Sequence, residues 1–297
     1  MVDWNALTVA IVAGDRREQE IARCAAATGA TVRGFGFPWP EAGIPGVQRC
    51  DSAAAALAGA DLALFPIPGI APDGALFAPQ CAERIIPSRA MLEGMRRPGH
   101  IILGWADAGL KAHAAALGLA LHEYEWDKDL MLLRGPAIVE GMLRVIIENT
   151  DITIHRARIA MLGHGTIGGL ACRTLVALGA RVQVVARNPV QRAEAYAAGA
   201  EPQEFAALPE ILPGTDIVIS SIPSRVLGAA ELALLPQQAL LVDLAAPPGG
   251  IDREAAAARG LRAVWARGLG SRAPVTVGRS QWSGIRRRIE ALYGGRA

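Results

Sequence analysis

The chain has 297 residues, more than one domain usually holds, and a formal net charge of +2, which leaves no broad basic face for nucleic acid. Hydrophobic residues make up 52% and charged residues 20%; the most apolar stretch, Leu62 to Pro72, is short and carries three prolines, which excludes a membrane span. Cys24, Cys50, Cys81 and Cys172 form no CxxC pair, and the charged Asp15-Arg16-Arg17-Glu18 stretch after the first apolar run is unlike a secretory leader, so the expectation is a cytoplasmic protein without disulfides or metal.

In chain order, short apolar runs alternate with alanine-rich stretches, which is α/β punctuation. Strands are predicted at Leu7–Ala13, Thr31–Phe35, Leu62–Phe65, His100–Leu103 and Leu119–His122. Helices are predicted at Glu18–Thr28, Ser52–Ala58, Ser88–Arg96 and Ala106–Ala116. Pro136 fits the first turn of a helix that runs to Glu148 and bridges two domains. Strands then resume at Arg158–Leu162, Arg181–Ala186, Asp216–Ser220, Leu240–Asp243 and Arg262–Trp265. The last segment places Trp282, Ile285, Ile289 and Leu292 three and four apart, an amphipathic helix whose Arg286-Arg287-Arg288 run is a solvated face.

The predicted fold is α/β, with two Rossmann-like, doubly wound parallel-sheet domains and a cleft between them. Residues 1–149 form a flavodoxin/Rossmann-like substrate domain, with a helix over 280–297 packing back on it, and residues 150–279 form a nucleotide-binding domain.

Ile159-Ala160-Met161-Leu162 runs directly into Gly163-His164-Gly165-Thr166-Ile167-Gly168 and then a helical pattern. In that context GxGxxG is a dinucleotide fingerprint: Gly163 for the tight turn, Gly165 for backbone approach to a pyrophosphate, Gly168 for close helix packing. The amides and dipole at the helix start favour an anion. His164 either touches phosphate or packs the loop. At the tip of the second strand, where NAD binders place an acid, the chain has Arg187. A guanidinium there suits a 2′-phosphate, which points to NADP, with NAD as the alternative.

These segments resemble the dipicolinate synthase A subunits, oxidoreductases of the last step to pyridine-2,6-dicarboxylate in spore-forming bacteria. The likeness is carried by Gly14-Asp15-Arg16-Arg17, Glu140-Gly141, the glycine turn, Ala186-Arg187 and Ile222-Pro223. It continues through Asp243-Leu244-Ala245-Ala246-Pro247-Pro248-Gly249-Gly250-Ile251-Asp252, then Gly268-Leu269 and Ala273-Pro274-Val275-Thr276-Val277-Gly278. The chain departs from the family pattern at Arg134–Ile138, where the family has Asn-Ala-x-Pro-Thr, at Gly270-Ser271-Arg272 in place of Pro-Gly-Lys, and at Ser220-Ser221 in place of Asn-Thr.

The resemblance implies a small dicarboxylate substrate and a flavoprotein-like second subunit, and self-association is expected only on general grounds. Arg17, Arg134 and Arg272 are then candidate carboxylate anchors, each alternatively a solvated arginine, and Thr276 lies in the same predicted loop set. Glu140 is expected to be buried or cleft-facing and either to relay a proton or to anchor its helix. Ser221 with Ile222 and Pro223 follows the strand that passes the nicotinamide, and Ser221 either acts there or caps its loop. Asp243, followed by Ala245, either holds the amides of the next turn or touches the nicotinamide ribose. A 2-hydroxyacid dehydrogenase is disfavoured, because His100, His113, His122, His155 and His164 all lie at or before the glycine turn.

Overall fold

Thr8–Val12 is buried from Val9 on, and its residues alternate between two apolar clusters, so this strand is covered on both faces. The structure is a computed structural model that describes residues 1–71 and 73–294. It divides into two compact units: Met1–Leu133 together with the chain from Ala273 on, and Arg134–Arg272.

Unit one contains β1 (Thr8–Val12), α1 (Arg16–Ala26), β2 (Thr31–Phe35), β3 (Val47–Arg49), α2 (Ala53–Leu57), β4 (Leu62–Leu64), α3 (Arg89–Leu92), β5 (Gly99–Leu103), α4 (Ala108–Ala116) and β6 (Leu119–Glu123). Its six strands lie parallel in the order β3-β2-β1-β4-β5-β6. That is the Rossmann order, not the flavodoxin one, so the broader expectation for residues 1–149 resolves to its Rossmann side. Ala10 and Val12 pack with α2, α3 and α4 on one face. Val9 and Ile11 pack on the other with Ile21 and Ala25 of α1 and with Trp282, Ile285 and Ile289 of the returning helix, Pro274–Tyr293. Gly278 lets that helix lie against α1, since a Cβ there would stand 2.7 Å from the Arg17 carbonyl oxygen. The expected helix over 280–297 thus begins six residues earlier, and residues 295–297 lie outside the described residues.

The connecting helix α5 spans Lys128–Asn149 and carries Pro136 inside it. This corrects the expectation that Pro136 opens the helix. The apolar, helix-favouring Leu130–Leu133 run starts it earlier and tolerates the lost amide and its bond. The helix predicted at Ser88–Arg96 shrinks to one turn, Arg89–Leu92, because Gly94 packs on the Ala58 backbone instead of continuing it.

Unit two continues with β7 (Arg158–Leu162), α6 (Thr166–Ala177), β8 (Arg181–Val185), α7 (Pro189–Ala197), β9 (Glu201–Gln203), α8 (Leu208–Ile211), β10 (Ile217–Ser220), α9 (Ala229–Leu232), β11 (Leu240–Asp243), α10 (Arg253–Ala258) and β12 (Arg262–Trp265). Its strands are again parallel, in the order β9-β8-β7-β10-β11-β12. Val139, Met142 and Ile146 of α5 cover one face together with α6, while α8, α9 and α10 cover the other. The reading of the chain as two doubly wound Rossmann sheets therefore holds. The unit boundaries at 133/134 and 272/273 differ from the predicted 149/150 and 279/280, because α5 contributes its second half to the unit-two core. Among the described residues no helix is long and apolar enough to cross a membrane.

Candidate functional site

The β7–α6 turn of unit two gives its three glycines different roles. Gly163 has φ +89°, and a Cβ there would come within 2.8 Å of Ile222 and the Ser221 hydroxyl. Gly168 lies so close to the turn that a Cβ would stand 2.5 Å from the Gly163 carbonyl oxygen. Gly165 has ordinary φ −75° and only open space where a Cβ would point, so its missing side chain leaves room above the helix start. No side chain caps α6. Its first amides and the positive end of its dipole are available to an anion, and the cradle fits a dinucleotide pyrophosphate.

His164 turns away from solvent and packs over Gly169. Burial holds its pKa below the ordinary value, with Glu194 opposing the shift and Arg173 adding to it. Its Nδ1 has no hydrogen-bond partner among the described residues. Thr166 and Ile167 are half-buried in the first turn of α6.

Around this turn the candidate residues sort by what they already hold. Ser221 donates its hydroxyl to the Leu162 carbonyl at 3.2 Å, closing the loop beside Gly163; Ile222 is half-buried next to it and Pro223 is exposed. The buried Asp243 carboxylate accepts the amides of Ala245 at 3.0 Å, Gly250 at 2.7 Å and Ile251 at 3.2 Å, so both oxygens anchor the Ala245–Ile251 turn. Trp265 fastens the same turn by donating to the Ala245 carbonyl at 2.9 Å. Arg187 is exposed at the tip of β8. Beside it Arg192, the fourth residue of α7, donates to the carbonyls of Ala186 and Arg187, both at 2.9 Å, and pairs with Glu204 at 2.7 Å.

Glu140 is exposed, which rules out the buried alternative, and forms an ion pair with Arg272. The pair lines an open depression of about 540 Å³ with Leu143, Arg144, Ile147 and Glu148. Arg134 is buried within unit two. Thr276 is exposed in the first turn of the returning helix.

Unit one answers the same structural problem differently. Its β1–α1 turn runs through Ala13 (φ +69°) and Gly14 (φ +113°) into a capping box. The Asp15 carboxylate accepts the Arg17 amide at 2.9 Å, and Glu18 reaches back to accept the Asp15 amide at 2.7 Å. Arg17 is buried and forks onto Asp15 through Nε at 2.8 Å and Nη2 at 2.9 Å. The protein's own carboxylates thus occupy the anion site, and Glu18 fills the space that a larger residue at Gly14 would need. Sequence reasoning singled out Arg17 here but missed Glu18, although Asp-x-x-Glu before an apolar run was the available signal. Burial pushes the Glu18 carboxyl from 4.5 up to about 7, against the pull of Arg17.

An open glycine cradle on a doubly wound sheet defines the second unit as a nucleotide-binding fold of the dehydrogenase class. The family model for shikimate / quinate 5-dehydrogenase matches residues 146–264, and the model for the N-terminal domain of the dipicolinate synthase A subunit matches residues 8–125. The chain is 31% identical over 275 residues to the dipicolinate synthase A subunit of Bacillus subtilis (strain 168), covering 92% of each chain. It belongs to the family of dipicolinate synthase A subunits. The crystal structure of the Bacillus halodurans member superposes with a TM-score of 0.85 at 29% identity, covering 95% of this chain and 97% of the other. A transhydrogenase from Sinorhizobium meliloti shares the fold, with a TM-score of 0.71 at 17% identity, covering 96% and 94%.

Two outcomes test this geometry. Gly165→Val is expected to abolish dinucleotide binding, read by calorimetry, while cooperative unfolding stays intact, since a Cβ at this position has no protein atom within 4 Å. For Glu18, a folded pKa above the unfolded one means that the protonated carboxyl contributes stability below about 4.5, and that this is lost as pH rises through about 7. Glu18→Gln should flatten the stability profile across that window by up to about 3 kcal/mol, measured by urea unfolding at stepped pH.

Proposed function

We propose that this chain is an NADP-dependent oxidoreductase that forms pyridine-2,6-dicarboxylate from an intermediate of the dihydrodipicolinate pathway. In this reading it works in the cytoplasm of a spore-forming cell, self-associates and pairs with a flavoprotein-like second subunit. The observation that carries the proposal is the 31% identity along 92% of the chain, supported by an open cradle in unit two. Bound there, the nucleotide supplies a hydride acceptor, which suits a reaction that removes hydrogen from a dihydro ring.

The chain's residues then divide as follows. The amides around Gly163, Gly165, Thr166, Ile167 and Gly168 hold the pyrophosphate, His164 supports the turn, and Arg187 takes the 2′-phosphate. Ser221, Ile222, Pro223, Asp243 and Ala245 shape the nicotinamide end, with Asp243 acting through the turn that it anchors. Ser221 and Glu140 exchange protons with the substrate, while Arg17, Arg134, Arg272 and Thr276 provide for its carboxylates.

Magnitudes rank these arginines. Arg272 and Glu140 are 40% and 52% exposed, and such a pair contributes at most about 1 kcal/mol, so a substrate carboxylate can exchange for Glu140 readily. Freeing Arg17 from Asp15 breaks a buried bidentate pair, a change that costs about 3–5 kcal/mol when one partner is lost. Arg272 is therefore the stronger anchor, and Arg17 serves chiefly to hold the turn.

Purified protein with oxidised NADP should convert the condensation product of dihydrodipicolinate synthase to a pyridine dicarboxylate, detected by its ultraviolet absorbance; no turnover, with or without a second subunit, would favour a non-catalytic nucleotide-binding role. Calorimetry should show NADP binding tighter than NAD, with Arg187→Ala lowering the preference about ten-fold, since a charge-assisted hydrogen bond contributes about 1.5–3 kcal/mol. Equal affinities in the parent protein would refute the assignment of Arg187. Arg272→Ala should raise KM for the dicarboxylate and leave nucleotide affinity unchanged.

A further inference from the structure

The tips of β8 and β9 lie side by side in unit two, with Val185 opposite Gln203, so the residues that follow each strand share one corner of the sheet's carboxyl edge. Arg187 stands at this corner with no carboxylate pair among the described ion pairs of the fold. Arg192 is the better-placed cation. Its side chain is only 23% exposed, one nitrogen is fixed by two backbone carbonyls, and the other points to Glu204 just beyond the tip of β9. The α7 start is set by Asn188, whose side chain accepts the Val190 amide at 2.8 Å, so Arg192 sits one turn into a well-formed helix. Glu204 by contrast is 67% exposed and makes no other ion pair among the described residues. Next to the pair is an open cavity of about 280 Å³, lined by Arg192, Tyr196, Gln203 and Glu204 among others.

We infer that Arg192 is a second recognition residue for the 2′-phosphate of the nucleotide, and that Glu204 occupies its place until the phosphate displaces it. The inference rests on the reading of unit two as an NADP site. An exposed carboxylate held by one partner gives way easily to a phosphate, which carries more charge and more acceptor oxygens. The two carbonyl bonds keep the guanidinium in place during the exchange, so little side-chain order has to be created when the ligand arrives. They also hold the Ala186-Arg187 backbone, so Arg192 positions its neighbour as well as contacting the phosphate. In NAD the same corner meets a neutral ribose hydroxyl, and Glu204 stays where it is. The Arg192–Glu204 pair therefore adds to the discrimination between the two nucleotides in a way that the Arg187 position alone does not reveal.

The test is a set of affinities for NADP and NAD, measured by calorimetry on the full chain. Arg192→Lys keeps the charge but cannot fork between two carbonyls and an anion, and is expected to lower the NADP to NAD affinity ratio about ten-fold. Glu204→Gln removes the competitor while keeping the shape, and is expected to raise NADP affinity several-fold with NAD affinity unchanged. NAD binding, which uses the glycine turn, reports that each variant is folded. A ratio left at the parent value by either substitution overturns the inference. If the parent itself shows no preference and Arg187→Ala changes nothing, the NADP reading fails first; if Arg187→Ala collapses the preference while the other two variants match the parent, only the role of Arg192 and Glu204 is lost.

Discussion

A strand that turns directly into a helix at the carboxyl edge of a parallel sheet leaves the helix's first amides without partners and aims a positive dipole at the loop above. Both units of this protein meet that constraint at the same point of the same topology, after β1 and after β7. Unit one satisfies the amides internally, with Asp15 and Glu18, and then needs Arg17 to neutralise the carboxylate so introduced. Unit two leaves the amides uncapped by any side chain and puts Gly165, with open space above it, at the helix start. From one backbone arrangement, the choice of carboxylates or glycines over a few residues separates a closed turn from a receptive one.

The glycine turn was legible because backbone conformation and close packing each demand the absence of a side chain, as they do at Gly163 and Gly168, while Gly165 sits at a fixed spacing between them with open space above it. The long strands of both sheets were legible too, since burial on both faces writes continuous apolar runs. Of the four edge strands, β3 and β9 were not. Val47–Arg49 and Glu201–Gln203 have three residues each, are partly exposed, and in the second case contain a proline, so they carry neither the length nor the alternation of a strand signal. The rotation of α5 was also out of reach. Leu132, Leu133 and Ile147 are 42%, 51% and 66% exposed, so its apolar residues do not mark one face, and nothing local shows that Glu140 points outward. Glu18 was missed for another reason: its capping role is local, but its burial depends on the tertiary packing around α1.

The loop after β11 shows how one buried acid can act at a distance from any ligand. Three amides converge on Asp243, and Gly249, at φ +87°, would place a Cβ 2.6 Å from Oδ2. The carboxylate thus dictates the path of a proline-rich segment that has no regular structure to hold it. Fixing irregular backbone in this way is what gives the edge of the sheet beside the cradle a defined shape.

The route of the chain sets an order of assembly. Unit one is interrupted at Leu133 and completed only by the helix Pro274–Tyr293, whose Trp282, Ile285 and Ile289 fill one face of its sheet. On the ribosome, all of unit two emerges before that helix, so the nucleotide-binding unit can reach its native core while the earlier-made unit still lacks part of its own. During translation the N-terminal sheet waits with one apolar face covered by α1 but not yet by the returning helix. It is therefore the unit made first, and finished last, that is most exposed to chaperones and proteases in the cell.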